Sequence, residues 1–210
     1  YFNSQEELDT YLTKIQYGAG QPRVGDFKYM DLNNDGVIDV KDEAPIGSPA
    51  IPRINYGLSL SLDYKSFDLT VFFQGIGKYS GGYAHQGVYE NIKSGTYFKY
   101  HKTAWTPERY ANGEEITYPA LSTQTTTNHR ANDFFIMNRS FIRLKNVVLG
   151  YTLPATSLQK IGIQKFRIYV SAQNYFTWDK LRLSHLDPEN SDSLGYPVTK
   201  MLNLGLNITF

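Results

Sequence analysis

Apolar and polar residues alternate in several stretches of this chain. From Ile54, the run INYGLSLSLD puts Ile54, Tyr56, Leu58, Leu60 and Leu62 at one parity and Asn55, Gly57, Ser59, Ser61 and Asp63 at the other. Successive side chains of a strand point to opposite faces, so this period predicts a strand with one apolar and one polar face. A tight turn at Tyr64 to Ser66 leads into FDLTVFFQG, where Phe67, Leu69, Val71 and Phe73 oppose Asp68, Thr70, Phe72 and Gln74. Near the end, FRIYVSAQNYF separates Phe166, Ile168, Val170 and Ala172 from Arg167, Tyr169, Ser171, Gln173 and Tyr175. LNLGLNITF likewise separates Leu202, Leu204, Leu206, Ile208 and Phe210 from Asn203, Gly205, Asn207 and Thr209. A fifth segment, SFIRLKNVVLGY, changes phase between Leu144 and Val147, which predicts a bulge near Lys145 or Asn146 and leaves the facing of Arg143 and Lys145 open. Helical spacing occurs in NSQEELDTYLTKI (3–15), with Ser4 as N-cap and Leu8, Tyr11, Leu12 and Ile15 on one face.

The connections sort by length. A short turn at 64–66, a long loop at 76–139, a modest link at 152–165 and a loop at 177–200 alternate, so an up-and-down sheet carries its long loops at one end. Strands of about 9 to 11 residues, short turns opposite long loops and aromatic residues at strand ends are the pattern of a transmembrane β-barrel. A soluble sandwich also alternates, but its strands average about 5 to 6 residues and its loops need not sort by side. The expected fold is therefore all-β, five antiparallel barrel strands in 54–210, preceded at 1–53 by a loop region with a short helix. An open edge in hydrocarbon leaves backbone groups unpaired, so further strands are required from elsewhere in the polypeptide or from another chain. Phe210, closing an alternating strand, is expected to be its C-terminal end. YFNSQEELDT has neither an initiator Met nor signal-peptide character, which suggests a mature or fragmentary chain.

Composition narrows the chemistry. Aromatic residues make up 15% with 17 Tyr, in keeping with β-structure and interfacial rings. A net charge of +1 without a basic cluster gives no footprint for nucleic acid, and the absence of Cys removes disulfides and thiolate metal sites.

Residues 31–42, DLNNDGVIDVKD, match a twelve-residue calcium loop. Calcium takes about six to eight oxygen ligands, supplied from loop positions 1, 3, 5, 7, 9 and 12 around a Gly at position 6. Those positions are Asp31, Asn33, Asp35, the Val37 carbonyl, Asp39 and Asp42, with Gly36 in place and Ile38 as the inward apolar residue. Asp42 stands where Glu is usual, and its shorter arm reaches less far. The competing reading is a metal-free turn capped by its own Asn and Asp side chains.

Five segments together resemble the C-terminal part of the SusC/RagA-type TonB-dependent outer-membrane transporters of Bacteroidetes. They are 25–75 (GDFKYMDLNNDGVIDVKDEAPIGSPAIPRINYGLSLSLDYKSFDLTVFFQG), 104–113 (AWTPERYANG), 139–154 (RSFIRLKNVVLGYTLP), 166–178 (FRIYVSAQNYFTW) and 186–210 (LDPENSDSLGYPVTKMLNLGLNITF). The resemblance implies the last five strands of a 22-stranded transmembrane β-barrel with a plugged lumen and long extracellular loops. It also implies outer-membrane lipid around the barrel, a SusD-like lipoprotein lid, energy from TonB through a part of the transporter outside this chain, and import of oligosaccharides or peptides. The TonB box and plug of the family pattern are absent here, so no energy-coupling residue carries over. In that frame the calcium loop precedes a strand running toward the short-turn end and lies on the extracellular side.

Other candidates are weaker. Tyr79, Tyr83, Tyr89 and Trp105 in the long loop can stack on sugars or anchor a lid, or pack a small core of the loop itself. Arg167, Tyr169 and Gln173, on the polar face, can line a transport path or face a plug. His85, His101, His129 and His185 lack ligand spacing and are expected to be solvated. Glu114 with Glu115, and Asp187 with Glu189, are too close in sequence to flank a scissile bond, and no nucleophile and base pair is evident, so no enzyme is expected. The competing classes are a secreted calcium-dependent binding module of dockerin-like type, which would carry a second calcium repeat, and a soluble β-sandwich carbohydrate-active protein.

Overall fold

A computed structural model of the chain describes residues 1–83, 88–90, 97–154, 162–183, 186–190, 196 and 198–210. The chain divides into two compact units, one built mainly from 1–47 and 82–136, the other from 48–81, 137–191 and 195–210.

In the first unit, helix α1 (Gln5–Leu12) begins where the sequence predicts, with the Ser4 hydroxyl accepting from the Glu7 N–H at 3.1 Å. It buries Leu8, and its Tyr11 packs edge-on against Phe2 and Tyr17. Two-residue strands β1 (Gln16–Tyr17) and β2 (Val37–Ile38) pair in parallel and bury Tyr17 and Ile38. After two short strands at the unit boundaries, β5 (Ser80–Gly82) and β6 (Ile136–Asn138), whose intervening chain holds helix α2 (Pro107–Ala111), the core of the unit is largely aromatic. Tyr83, Tyr89, Trp105, Tyr118, Phe134 and Phe135 are all buried there.

The second unit is a five-stranded antiparallel sheet in the order β3 (Ile54–Tyr64), β4 (Phe67–Gly77), β7 (Phe141–Thr152), β8 (Lys165–Asp179) and β9 (Met201–Thr209). All five are the strands expected from alternation. A two-residue turn joins β3 to β4, with Lys65 in the left-handed region at φ 56°. The phase change in β7 is a bulge: the register slips between Leu144 and Asn146, leaving Lys145 without a ladder partner, and facing β8 carries Asn174 at φ 54°. The slip returns Ile142 and Leu144 to the same face as Val147, Leu149 and Tyr151, because Phe73 pairs with Leu144 while Val71 pairs with Val147.

One face is thereby continuously apolar across all five strands, and it lies bare. Leu60 is 48% exposed, Leu149 50% and Leu204 74%, and more than a dozen large apolar side chains of the five strands share that state. Withdrawing one such side chain from water is worth about 1.5–3 kcal/mol, so a face of this size weighs as much as a whole domain's stability of about 5–15 kcal/mol. These rows do not form a sandwich core.

Candidate functional sites

The calcium-loop residues form a closed turn. Asp31 accepts from the backbone N–H groups of Asn34 at 2.7 Å and Gly36 at 2.8 Å, with Asn34 at φ 60° and Gly36 at φ 82°. Asp35 accepts from the Val37 N–H, and Asp42 from those of Leu32 and Asp39. Lys41 reaches Asp35 at 3.3 Å, and Asp39 caps the short 3-10 turn Val40–Asp42. Ile38 is buried, as the inward position requires. Among the described residues, no three His, Cys, Asp or Glu side chains gather as a metal cluster. The turn brings Asp31, Asn33, Asp35 and Asp42 to one loop, and their oxygens are hard donors of the kind calcium takes. The Asn33 side-chain amide, followed by the Val37 N–H, holds Asp35 below the usual carboxylate range, and the Asp39 N–H does the same for Asp42.

On the polar face of the sheet, five charged side chains converge. Arg143, 1% exposed, donates to both oxygens of Asp187 at 2.9 and 2.7 Å, to Glu189, and to the Thr177 hydroxyl at 2.9 Å. Lys145 adds two bonds to Glu189 at 3.0 and 2.9 Å. Arg139, also buried, donates to the Pro188 carbonyl and lies 4.6 Å from the Tyr79 ring centroid. The segment 186–190 is thus folded onto the sheet by cations of β7 and by Arg139 just ahead of it. The bulge settles the facing of Arg143 and Lys145: both are polar-face residues, and Asp187 and Glu189 are their counter-ions. Sequence reasoning missed this clamp because its partners lie 44–46 residues apart.

Further along the same face, Arg167 of β8 pairs with Asp68 of β4 across the intervening β7, over Gly150, whose missing side chain leaves the passage. Tyr169 stacks under the Arg167 guanidinium at 4.9 Å and lies over Gly205 of β9. Gln173 stands opposite Asn146 and Met201. Arg167, Tyr169 and Gln173 therefore share the polar face, with Arg167 and Tyr169 tying four strands together.

The long-loop aromatic residues divide. Tyr79 is half-buried beside Arg139. Tyr83, Tyr89 and Trp105 belong to the first unit's core: the Trp105 indole N–H donates to the Asn3 side chain at 3.2 Å and Tyr89 packs on His129 and Phe135. The expectation of solvated histidines needs correction. His101 is buried, its Nδ1 accepting from the Phe98 N–H and its Nε2 facing the Val88 carbonyl. The His129 ring is 3% exposed, takes the Thr126 N–H on Nδ1 at 2.9 Å and meets buried Glu90 through Nε2 at 3.2 Å. Tyr89, distant in sequence, packs on the His129 ring, while Tyr97, Phe98, Tyr100 and Tyr118 surround that of His101. His85 and His185 lie outside the described residues.

An antiparallel sheet with a bare apolar face, a charged opposite face and long connections at one end defines the class of sheet that the comparisons also find. Over its full length the chain is 31% identical to a TonB-dependent receptor of Formosa agariphila, of which it covers 21%. It is 29% identical over 87% of its length to the TonB-dependent receptor SusC of Bacteroides thetaiotaomicron, covering 17% of that protein. A solved structure of the RagAB peptide transporter superposes with a TM-score of 0.59 and 27% identity over 78% of this chain and 18% of that one. A RagAB peptide importer in its closed-closed state gives 0.62 and 25% over 86% of this chain and 20% of that one. No protein-family model matches the chain. At family level, this homology supports a fold of the SusC/RagA-type TonB-dependent receptors. The chain spans about a fifth of the length of the curated relatives it matches. Receptors of this type are non-catalytic, in agreement with the expectation that the chain is not an enzyme.

Proposed function

We propose that this chain forms the last five strands of a 22-stranded outer-membrane barrel that imports oligosaccharides or peptides with a SusD-like lipoprotein and TonB. The observation that carries this reading is the apolar face running unbroken over five strands and bare in the structure. Acyl chains are the surroundings in which such a face is stable, and the Arg143 and Arg167 networks on the opposite face suit a water-filled or plugged lumen. Long connections at one end suit the extracellular side, where the lid would dock. Calcium held by Asp31, Asn33, Asp35, the Val37 carbonyl, Asp39 and Asp42 would stiffen its own loop, since an ion bound only by the folded loop stabilises it.

The test compares neighbours on opposite faces in the intact receptor. Leu60→Arg should destabilise the membrane-inserted barrel by about 2–4 kcal/mol, the cost of a cation at mid-bilayer, while Ser61→Arg should change it by less than about 1 kcal/mol. Detergent-dependent extraction with outer membranes and heat-modifiable gel migration provide the readouts. A protein that stays soluble without detergent, and in which Leu60→Arg is harmless, would contradict the reading.

A further inference from the structure

The first unit contains a cleft between 19–23 and 122–130, about 330 Å³ in volume and lined mostly by polar residue types. It falls at the small end of ligand pockets, which run from about 300 to 1,000 Å³, and suits one sugar ring or one amino-acid residue. Arg23 and Arg130 line it together with Gln21, Gln124, Thr126 and other uncharged residues, and no Asp or Glu is among its described lining residues. The acids behind it are already engaged. Asp26, fully buried, takes Arg23 and the Asn128 amide, while Glu90 takes His129, the Tyr118 hydroxyl and the Ser122 N–H.

The cleft is held open before any ligand arrives. Arg130 donates through Nη2 to the Ala19 carbonyl, bracing one wall against the other, and Asn128 ties the second wall to Asp26 at 2.8 Å. Tyr29 fixes the Thr127 carbonyl at 2.9 Å, and Gly20 makes its turn at φ 71°. A cleft braced in this way loses little further freedom on binding. His129 contributes no free nitrogen, since Nδ1 and Nε2 are both occupied. The guanidinium groups differ. Arg23 uses Nε and Nη2 on Asp26, and Arg130 uses Nη2 on Ala19, so each retains N–H donors.

We infer that this cleft is a binding site for a carboxylate carried by the imported solute. Guanidinium forks match carboxylates in shape and charge, and the glutamine amides and hydroxyls around them suit the neutral remainder of the ligand. The inference rests on the uptake reading for the identification of the ligand as cargo. A carboxylate can come from a uronic acid or from a peptide C-terminus, and the test separates these sources.

Calorimetric titration of the intact receptor in detergent would use glucuronate and an N-acetylated dipeptide with a free C-terminus, each against its neutral counterpart, glucose or the dipeptide amide. At least one carboxylate should bind, its neutral counterpart roughly tenfold more weakly, and Arg130→Gln should weaken the carboxylate by a similar factor. Gln124→Ala supplies a second variant at an exposed position, and Lys28→Gln, outside the cleft, should leave binding unchanged. The stronger of the two acids identifies the source. Absence of saturable binding in a receptor that still migrates as a folded barrel would overturn the inference and leave the uptake reading standing, as would binding indifferent to Arg130→Gln. A receptor that binds the acid but partitions as a soluble protein would do the reverse.

Discussion

Arg143 is nearly enclosed, and its side-chain hydrogen-bond partners come from β8 or from 186–190. Removing one member of such a pair leaves its partners uncompensated, and Arg143→Ala should destabilise the folded receptor by about 3 kcal/mol, near the low end for buried pairs because Asp187 and Glu189 keep some contact with water. Urea denaturation followed by gel migration measures this, and the paired change Asp187→Asn with Glu189→Gln should recover part of the loss in the Arg143→Ala background. In the first unit, Glu90 offers a pH test. Burial alone raises its pKa, but the His129 hydrogen bond and the backbone N–H groups of Glu90 and Ser122 outweigh that, so the carboxyl is held below its ordinary 4.5. A depressed folded-state value means the contribution is complete above the unfolded value and is lost as pH falls through the folded one. Amide exchange within the first unit of the intact receptor should report its acid unfolding below about pH 4.5, with Glu90→Gln flattening that dependence and costing about 1–3 kcal/mol at neutral pH.

At the scale of elements, the strands were legible because each carries its own period, and the bulge because two phases meet within one segment. Ser4 marked α1 through its hydroxyl, and DLNNDGVIDVKD marked a turn whose Gly36 does adopt a positive φ. What stayed hidden depends on partners distant in sequence: the fold of 186–190 onto β7, the burial of the His101 and His129 rings, and the burial of Tyr83, Tyr89 and Trp105 in the first unit. Alternation assigns a side chain to a face; it does not tell what covers that face. The calcium loop supports a prediction of its own. Asp31 accepts two backbone N–H bonds at the start of the turn, so Asp31→Ala should both remove calcium and loosen the loop, whereas Lys41→Ala should retain the ion. Metal analysis of the purified receptor and protease cleavage within 31–42, with and without chelator, should change together. Stoichiometric calcium in Asp31→Ala would favour another site, and no calcium in the unaltered receptor would favour the self-capped turn.

For the molecule as a whole, the decisive property is that the sheet has two edges. Among the described residues β3 pairs only with β4, and β9 only with β8, so each outer strand has one side of its backbone without a ladder. In water such an edge is tolerable, although it invites association; in hydrocarbon each unpaired N–H or C=O costs several kcal/mol, and a few of them exceed a stability margin of about 5–15 kcal/mol. The bare apolar face excludes water as a comfortable medium, and the edges exclude lipid for this sheet by itself. On the proposed reading, closure by further strands reconciles the two. The 210-residue chain expressed alone should therefore aggregate or require detergent, and amide exchange along Ile54–Tyr64 and Met201–Thr209 should be fast at roughly alternate positions. In the intact receptor, those same amides should exchange as slowly as the amides of β7, which has neighbours on both sides. If β3 and β9 stayed fast there while β7 was protected, their edges would have no partner strands, and the barrel would have to be abandoned in favour of a sheet whose apolar face is covered by another protein.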